Sequence, residues 1–228
     1  MKIFIGFDST AAAAYFIQRQ SILTHNPNLD VRPLVKQLLV MQGLYRRPHD
    51  PLASTEFTYT RFLVPYLCHY DGWALFMDGD MLVRDDLKKL LAYARDDMAV
   101  GCVRHSHAPR ESVKMIVDGK PKVQTVYPRK NWSSLMLFNC AHSDCRSLTV
   151  AVVNCALPSY LHQMKWATDD HIFELPKKWN WLEGYDKVEV DPAVVHFTRG
   201  IPGIHDGCSQ LPFADEYIEL ARLMPHAG

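Results

Sequence analysis

The stretch WALFMDGDMLV, Trp73 to Val83, decides the fold: a run of bulky apolar side chains gives way to two carboxylates, Asp78 and Asp80, separated by one glycine. Trp73 to Met77 is apolar on both faces, the pattern of a central strand in a mainly parallel sheet that helices cover on both sides. Open α/β sheets collect ligands beyond the carboxyl ends of their strands, beside the point where the strand order reverses. Alternation along an extended chain sends Asp78 and Asp80 to one side, and Gly79 leaves room for a close neighbour. Two hard oxygen donors aimed at one point suit Mg2+ or Mn2+, which complete their shells with water and a substrate diphosphate. The bland alternative is that the pair solvates a turn or caps a helix starting near Asp85.

Upstream, Ile3 to Phe7 is a short apolar run that stops at Asp8, and Ala12, Tyr15, Phe16, Ile22 and Leu23 then recur near helical spacing. Val31 to Val35 predicts a second strand, which Pro33 confines to an edge. Two βα units therefore precede the aspartate pair. In STEFTYTRFLVPYL, Ser54 to Leu67, the residues Phe62, Leu63, Tyr66 and Leu67 make one helical face that Pro65 kinks or shortens. Downstream the spacing predicts a helix over Asp85 to Ala94, with Leu87, Leu90, Leu91 and Ala94 on one stripe, and a strand over Met98 to Val103. The polar stretch from Arg104 to Lys130, punctuated by Pro109, Gly119, Pro121 and Pro128, reads as a loop with a short hairpin. A strand follows near Leu135 to Phe138, then an ambiguous apolar segment at Leu148 to Leu157. The remaining elements are a short helix near Asp169 to Glu174, a strand at Ala193 to Phe197 and a terminal helix near Ala214 to Leu223.

The 228 residues suffice for one large domain with a substantial core, and an apolar fraction of 48% is ordinary for a globular protein. Twenty-five basic and twenty-five acidic residues cancel, so no overall field argues for nucleic acid or an anionic membrane. Cys68, Cys102, Cys140, Cys145, Cys155 and Cys208 form no CxxC pair and read as small apolar residues in a reducing compartment. His142 and Cys145 stand at a metal-like spacing, but no second pair completes a zinc site, so the reading is a solvent-side His beside a packed Cys. MKIFIGFDST is too short in apolar residues for a signal-peptide core, and no run reaches the roughly 18 apolar residues of a membrane span. A cytoplasmic location is expected, and the NWS triplet at Asn131 is then accidental.

Six segments in order, FIGFDS from Phe4, STEFTYTRF, ALFMDGDMLV, WSSLMLFN from Trp132, ATDDHIFELPKKWNW from Ala167 and VVHFTRG from Val194, cover nearly the whole chain. Each is short, and the ordered set carries the specificity. It resembles the GT-A fold nucleotide-sugar glycosyltransferases, most of all family 8 and its bacterial relatives. The resemblance implies one GT-A-like α/β domain over residues 1–228, with a mixed, mainly parallel sheet flanked by helices. Residues 1–103 would form its nucleotide-binding half and 104–228 the half for donor sugar and acceptor.

Position by position, the resemblance implies that Phe7, Asp8 and Ser9 border the nucleoside, with Asp8 accepting from a base N–H; by itself Asp8 reads equally as a helix N-cap. Arg61 falls where the family offers an arginine to the nucleotide-sugar, a role that suits a guanidinium. Asp78 and Gly79 would also border the donor. His196 matches the histidine that joins Asp78 and Asp80 on the metal. Trp132, Ser133 and Ser134 align with the segment that touches the sugar, although Trp132 equally reads as packing. Asp169 and Asp170 fall where related enzymes place an acid beside the anomeric carbon, either as nucleophile or to orient the donor; on sequence they equally read as first-turn acids. The family's H-x-x-G with a following lysine and Pro-Trp is replaced by His196-Phe197-Thr198-Arg199-Gly200-Ile201-Pro202-Gly203. The spacing is one longer and the lysine is missing, which leaves Arg199, with Gly200, or His205 to face the diphosphate.

The implied activity is metal-dependent transfer of a sugar, with retention, from a nucleotide-sugar, a UDP-sugar, to an acceptor hydroxyl on a glycan, a lipid-linked chain or a small molecule. Mn2+ or Mg2+ is the implied cofactor, and no nucleic-acid partner and no transmembrane segment are expected; self-association stays open. Two rival readings remain. A haloacid dehalogenase-type phosphohydrolase also uses D-x-D, though on its first strand, and a nucleotide-sugar-binding domain without turnover would keep the fold.

Overall fold

The computed structural model describes residues 1–106, 113–117, 120–123, 128–187 and 191–223, with the backbone alone for the strands within 113–123. In chain order β1 (Lys2–Gly6) leads to α1 (Ala12–His25), and β2 (Asp30–Leu34) to α2 (Lys36–Met41). A 3-10 turn, Thr60–Leu63, runs into α3 (Val64–Leu67), so Pro65 sits in the first turn of a short α-helix, where its missing N–H costs nothing. Then come β3 (Trp73–Met77), β4 (Met81–Val83), β5 (Val100–Cys102), β6 (Val113–Val117), β7 (Lys120–Val123) and β8 (Leu135–Asn139). The helices α4 (Ser143–Arg146), α5 (Val150–Cys155) and α6 (Pro158–His162) precede β9 (Ile172–Glu174), β10 (Trp181–Leu182), β11 (Val194–His196) and α7 (Ala214–Arg222).

The main sheet has six strands in the order β2-β1-β3-β8-β5-β9. β1 pairs in parallel with β2 and β3, and β5 with β9, whereas β8 runs antiparallel to both its neighbours. The sheet is thus mixed and mainly parallel, and β3 is parallel only on its β1 side. Strand order reverses between β1 and β3, which opens a crevice at their carboxyl ends. Strands from both sides of residue 103 share this sheet, β5 lying between β8 and β9.

Alternation explains why these strands read as unbroken apolar runs. Phe4, Ala74, Phe76, Met136 and Phe138 pack into one core layer; Ile3, Ile5, Leu75, Met77, Leu135 and Leu137 pack into the other. At the edge, Pro33 sits opposite Ile5 in β2, where an absent donor is tolerated.

A second sheet, β10-β11-β4, continues from the Asp78 to Asp80 turn. α1 covers its edge in an unexpected way. Phe16 is exposed and polar Gln18 and Ser21 point inward, because Gln18 Oε1 accepts from Met81 N at 3.4 Å and Ser21 Oγ from Val83 N at 3.1 Å. The free edge of β4 therefore finds acceptors on a helix instead of on another strand.

Several expectations change in detail. The expected α-helix over Asp85 to Ala94 is a 3-10 helix, Leu87–Tyr93, capped by the Asp86 carboxylate accepting from Lys88 N. The expected helix at Asp169 to Glu174 is one 3-10 turn, Asp169–His171, that passes directly into β9. The ambiguous Leu148 to Leu157 segment contains α5. The expected hairpin is present as β6 and β7, and Pro109 and Gly119 lie outside the described residues. All six cysteines are free and five are buried. Among the described residues no helix is long and apolar enough to cross a membrane.

Candidate functional site

Asp78, Gly79 and Asp80 form the bend between β3 and β4, where the chain leaves one sheet for the other. The turn is pinned at both ends: Asp78 N donates to Ser134 O at 2.8 Å, and Phe197 N donates to Asp80 O at 3.0 Å. It needs glycine in its middle, since a Cβ on Gly79 would stand 2.3 Å from the Gly6 carbonyl oxygen. That close neighbour belongs to β1, so the bend sits against the crevice between β1 and β3.

Arg61 supplies the first charge balance. Its Nη1 lies 2.7 Å from Asp78 Oδ1 and donates to Ser133 O at 2.8 Å, and its guanidinium lies over the rings of Phe57 and Phe76. A buried cation flanked by aromatic faces and tied to one carboxylate is a fixed positive wall. His162 adds no second charge there. Burial, then Arg61 and Arg47, push its pKa down to about 3, and it meets Ser133 Oγ through Nδ1 at 3.1 Å.

His196 supplies the second face. Its Nε2 lies 3.2 Å from Asp80 Oδ1, and its Nδ1 lies 3.1 Å from Asn180 Oδ1. Asn180 Nδ2 donates to Ser134 Oγ at 2.9 Å, and that hydroxyl donates to Asn131 O at 2.6 Å. The relay leaves Asn180 only its oxygen for His196, so Nδ1 donates to that oxygen and Nε2 is the nitrogen turned to Asp80. Asp78, Asp80 and His196 bring one ligand atom each within 4.8 Å of one another, a set of two carboxylates and one imidazole that fits Mn2+ or Mg2+.

A cleft opens beside this cluster at the β1–β3 crevice. Gly6, Asp8, Gly79 and Asp80 line it, Tyr15 and Phe57 offer aromatic surface, and Gly200, Ile201 and His205 also belong to its lining. The hydroxyl-bearing Thr10, Ser54 and Thr55 also line it.

The predicted residues are placed unequally around it. Asp8 lines the cleft and is also a cap, its oxygens accepting from Thr10 N, Thr10 Oγ1 and Glu56 N. Ser9 turns to Glu56, donating through both N and Oγ, and Phe7 packs edge-on against Tyr15. Gly200 lines the cleft. Arg199 instead sends its guanidinium fork to the fully buried Glu183, where Nε donates at 3.0 Å and Nη2 donates to the other oxygen. Ser133 and Ser134 are buried and reach the site through their carbonyls, which hold Arg61 and Asp78. Trp132 packs, its Nε1 donating to His105 O while Arg104 and Arg129 lie over its ring. Asp169 pairs with Arg129 at 2.6 Å, and neither Asp169 nor Asp170 lines the cleft. Asn180, Glu56, Tyr15 and Phe57 went unnoticed in sequence; only Asn180, polar between two tryptophans in KKWNW, carried a faint signal.

No protein-family profile matches the chain. It is 40% identical over 223 residues to Protein CDI of Arabidopsis thaliana, a match spanning 95% of this chain and 84% of the plant protein. Its fold superposes on the bifunctional glycosyltransferase WbbM with a TM-score of 0.66 at 16% identity, covering 99% of this chain and half of WbbM. The galactosyltransferase LgtC, solved with donor and acceptor sugar analogues, gives a TM-score of 0.60 at 16% identity over 99% of this chain and 98% of LgtC. GlyE of Streptococcus pneumoniae gives 0.63 at 13% identity, over 98% of this chain and 61% of that protein. The fold is therefore that of the GT-A glycosyltransferases, and the D-x-D follows β3, not the first strand that the phosphohydrolase alternative expects.

Proposed function

This chain belongs to the family of Arabidopsis thaliana Protein CDI, and from that membership and the GT-A fold we propose that it transfers a sugar from a nucleotide-sugar, a UDP-sugar, to an acceptor hydroxyl. The observation that carries this reading is the meeting of Asp78, Asp80 and His196 within 4.8 Å of one another, with Asp80 also lining the cleft.

Those three residues would hold Mn2+ or Mg2+, whose Lewis acidity neutralises charge on a leaving diphosphate. The chain's own groups prepare the rest. Arg61 fixes Asp78 from behind, and Asn180 fixes the His196 tautomer, so the ligands need little reorganisation. Tyr15 and Phe57 offer the nucleoside apolar walls, and Asp8 keeps acceptor capacity for a base N–H. His205 accepts from Ile201 N through Nδ1 at 2.9 Å, which leaves its Nε2–H to donate to the diphosphate in place of the family's lysine. With Arg199 committed to Glu183, its part is to hold the loop that presents Gly200.

Asp169 and Asp170 would approach the anomeric carbon from the far end of the donor, as nucleophile or as its orienting acid, and the product would retain its configuration. The acceptor is a glycan, a lipid-linked chain or a small molecule. Free, mostly buried cysteines support a reducing, cytoplasmic setting. Incubating the protein with a panel of UDP-sugars, with Mn2+ or with chelator, tests the reading. Donor cleavage in Mn2+ alone is expected; equal turnover in both removes the metal requirement, and tight UDP binding without cleavage of any donor identifies a binding domain instead.

A further inference from the structure

A second cluster of metal-type ligands stands apart from the aspartate pair. His142 is the N-cap residue of α4, Asp144 lies in the first turn of that helix, and His171 closes the 3-10 turn that leads into β9. Two segments distant in sequence thus bring two imidazoles and one carboxylate together, with one ligand atom from each within 4.8 Å of the others.

Both oxygens of Asp144 face ring nitrogens. Oδ2 lies 2.8 Å from His171 Nδ1, and Oδ1 lies 3.9 Å from His142 Nδ1; the two rings meet edge to face with centroids 4.7 Å apart. A His–Asp hydrogen bond accounts for the first contact. The second is proximity alone: His142 Nδ1 accepts from Asp144 N at 3.2 Å as the cap of α4, and Oδ1 stands beyond hydrogen-bond reach. All three groups are half-buried, with side-chain exposures of 12%, 16% and 37%, accessible to an ion and partly shielded from water.

The donor set differs in kind from the first site. Two imidazoles and one carboxylate suit a borderline metal such as Zn2+, Co2+ or Ni2+ better than Mg2+. Tetrahedral Zn2+ with bonds of about 2.0–2.1 Å separates its ligand atoms by about 3.3 Å. One ligand atom from each of the three lies within 4.8 Å of the others, so the side chains must draw together to reach that spacing. Cys145, whose spacing from His142 first hinted at a metal, is not part of the set: it is fully buried and donates to Ala99 O.

We propose that His142, Asp144 and His171 form a second metal site that takes a zinc-type divalent cation, with a fourth position left to water. Asp144 Oδ2 also accepts from Thr168 N at 2.9 Å, so the site grips both ends of the Thr168 to His171 turn. Asp169 and Asp170 lie between those ends. The ion is a clasp that holds this acidic turn against α4.

The test uses the full chain carrying Asp80→Asn, which weakens the first site, with Co2+ as the spectroscopic probe and Zn2+ in titration calorimetry. One equivalent of Zn2+ should bind, Co2+ should give visible d–d absorption, and adding His142→Gln or His171→Gln should weaken binding at least tenfold. His49→Gln, an exposed histidine elsewhere, should change nothing. Should Asp80→Asn fail to fold, wild-type protein in excess Mg2+ serves, since Mg2+ competes poorly for imidazole. Absence of saturable Zn2+ binding in folded protein, or binding indifferent to His142→Gln and His171→Gln, overturns the site.

Discussion

Nε2 of His196 faces Oδ1 of Asp80 across 3.2 Å, because Asn180 Oδ1 holds the opposite ring nitrogen at 3.1 Å. The ligand nitrogen is thus chosen by a residue that touches neither the carboxylate nor the cleft.

Asn180→Ala should expose that dependence. Removing the amide strands His196 Nδ1 in a buried setting and takes one donor from Ser134 Oγ, which keeps Asn131 O, a loss of about 1–3 kcal/mol in stability. Freed to take the other tautomer, the imidazole should bind metal roughly 10–100-fold more weakly. Mn2+ titration and urea melts on the same protein check both effects; unchanged Mn2+ affinity in a destabilised variant would assign Asn180 to packing alone.

Gly79→Ala should damage fold and site together. The added methyl meets the Gly6 carbonyl oxygen at 2.3 Å, and a strand backbone has little freedom to yield. Overpacking of this kind costs about 1–3 kcal/mol, and the bend that aligns the two aspartates must shift. A fall in melting temperature with loss of UDP binding is expected.

Arg199→Ala separates structure from donor contact. Glu183 is fully buried and Arg199 half-exposed, so truncation strands a buried carboxylate and should cost about 2–3 kcal/mol, below the full value for a wholly buried pair. UDP affinity, measured by titration calorimetry well below the new melting point, should stay within roughly threefold, an energy of less than 1 kcal/mol. A tenfold loss would instead place Arg199 on the diphosphate.

His162 sets a pH dependence. Its pKa is pushed down from 6.5 to about 3 by burial, then by Arg61 and Arg47, so the unfolded chain binds the extra proton first as pH falls. Its contribution is fully present above 6.5 and declines toward 3, by at most about 1.4 kcal/mol per pH unit. Urea midpoints at pH 7 and pH 5 should therefore fall further for wild type than for His162→Phe; equal falls would contradict the neutral, buried imidazole.

How much of this was legible in the sequence follows from what each residue's surroundings require. β3 and β8 were plain because both their faces are buried, and Asp78 and Asp80 stood out because carboxylates ending such a run need a reason. His196 became meaningful only beside them. The Leu87–Tyr93 stripe looks the same in α and 3-10 form, since both gather residues three apart on one side. Phe16 and Gln18 reversed their expected faces because β4 needed acceptors more than α1 needed another apolar contact. Arg199 reads as a phosphate ligand in the sequence because Glu183, sixteen residues before it and outside any motif, gives no sign there of being buried opposite it.

Binding of UDP, measured by titration calorimetry with Mn2+, with chelator, and with Mn2+ on Asp80→Asn, bears most directly on the central claim. Saturable binding to wild type in Mn2+, weakened at least tenfold by chelator and by the substitution, is the predicted result. The same affinity in all three would mean that Asp78, Asp80 and His196 hold no cation for the pyrophosphate.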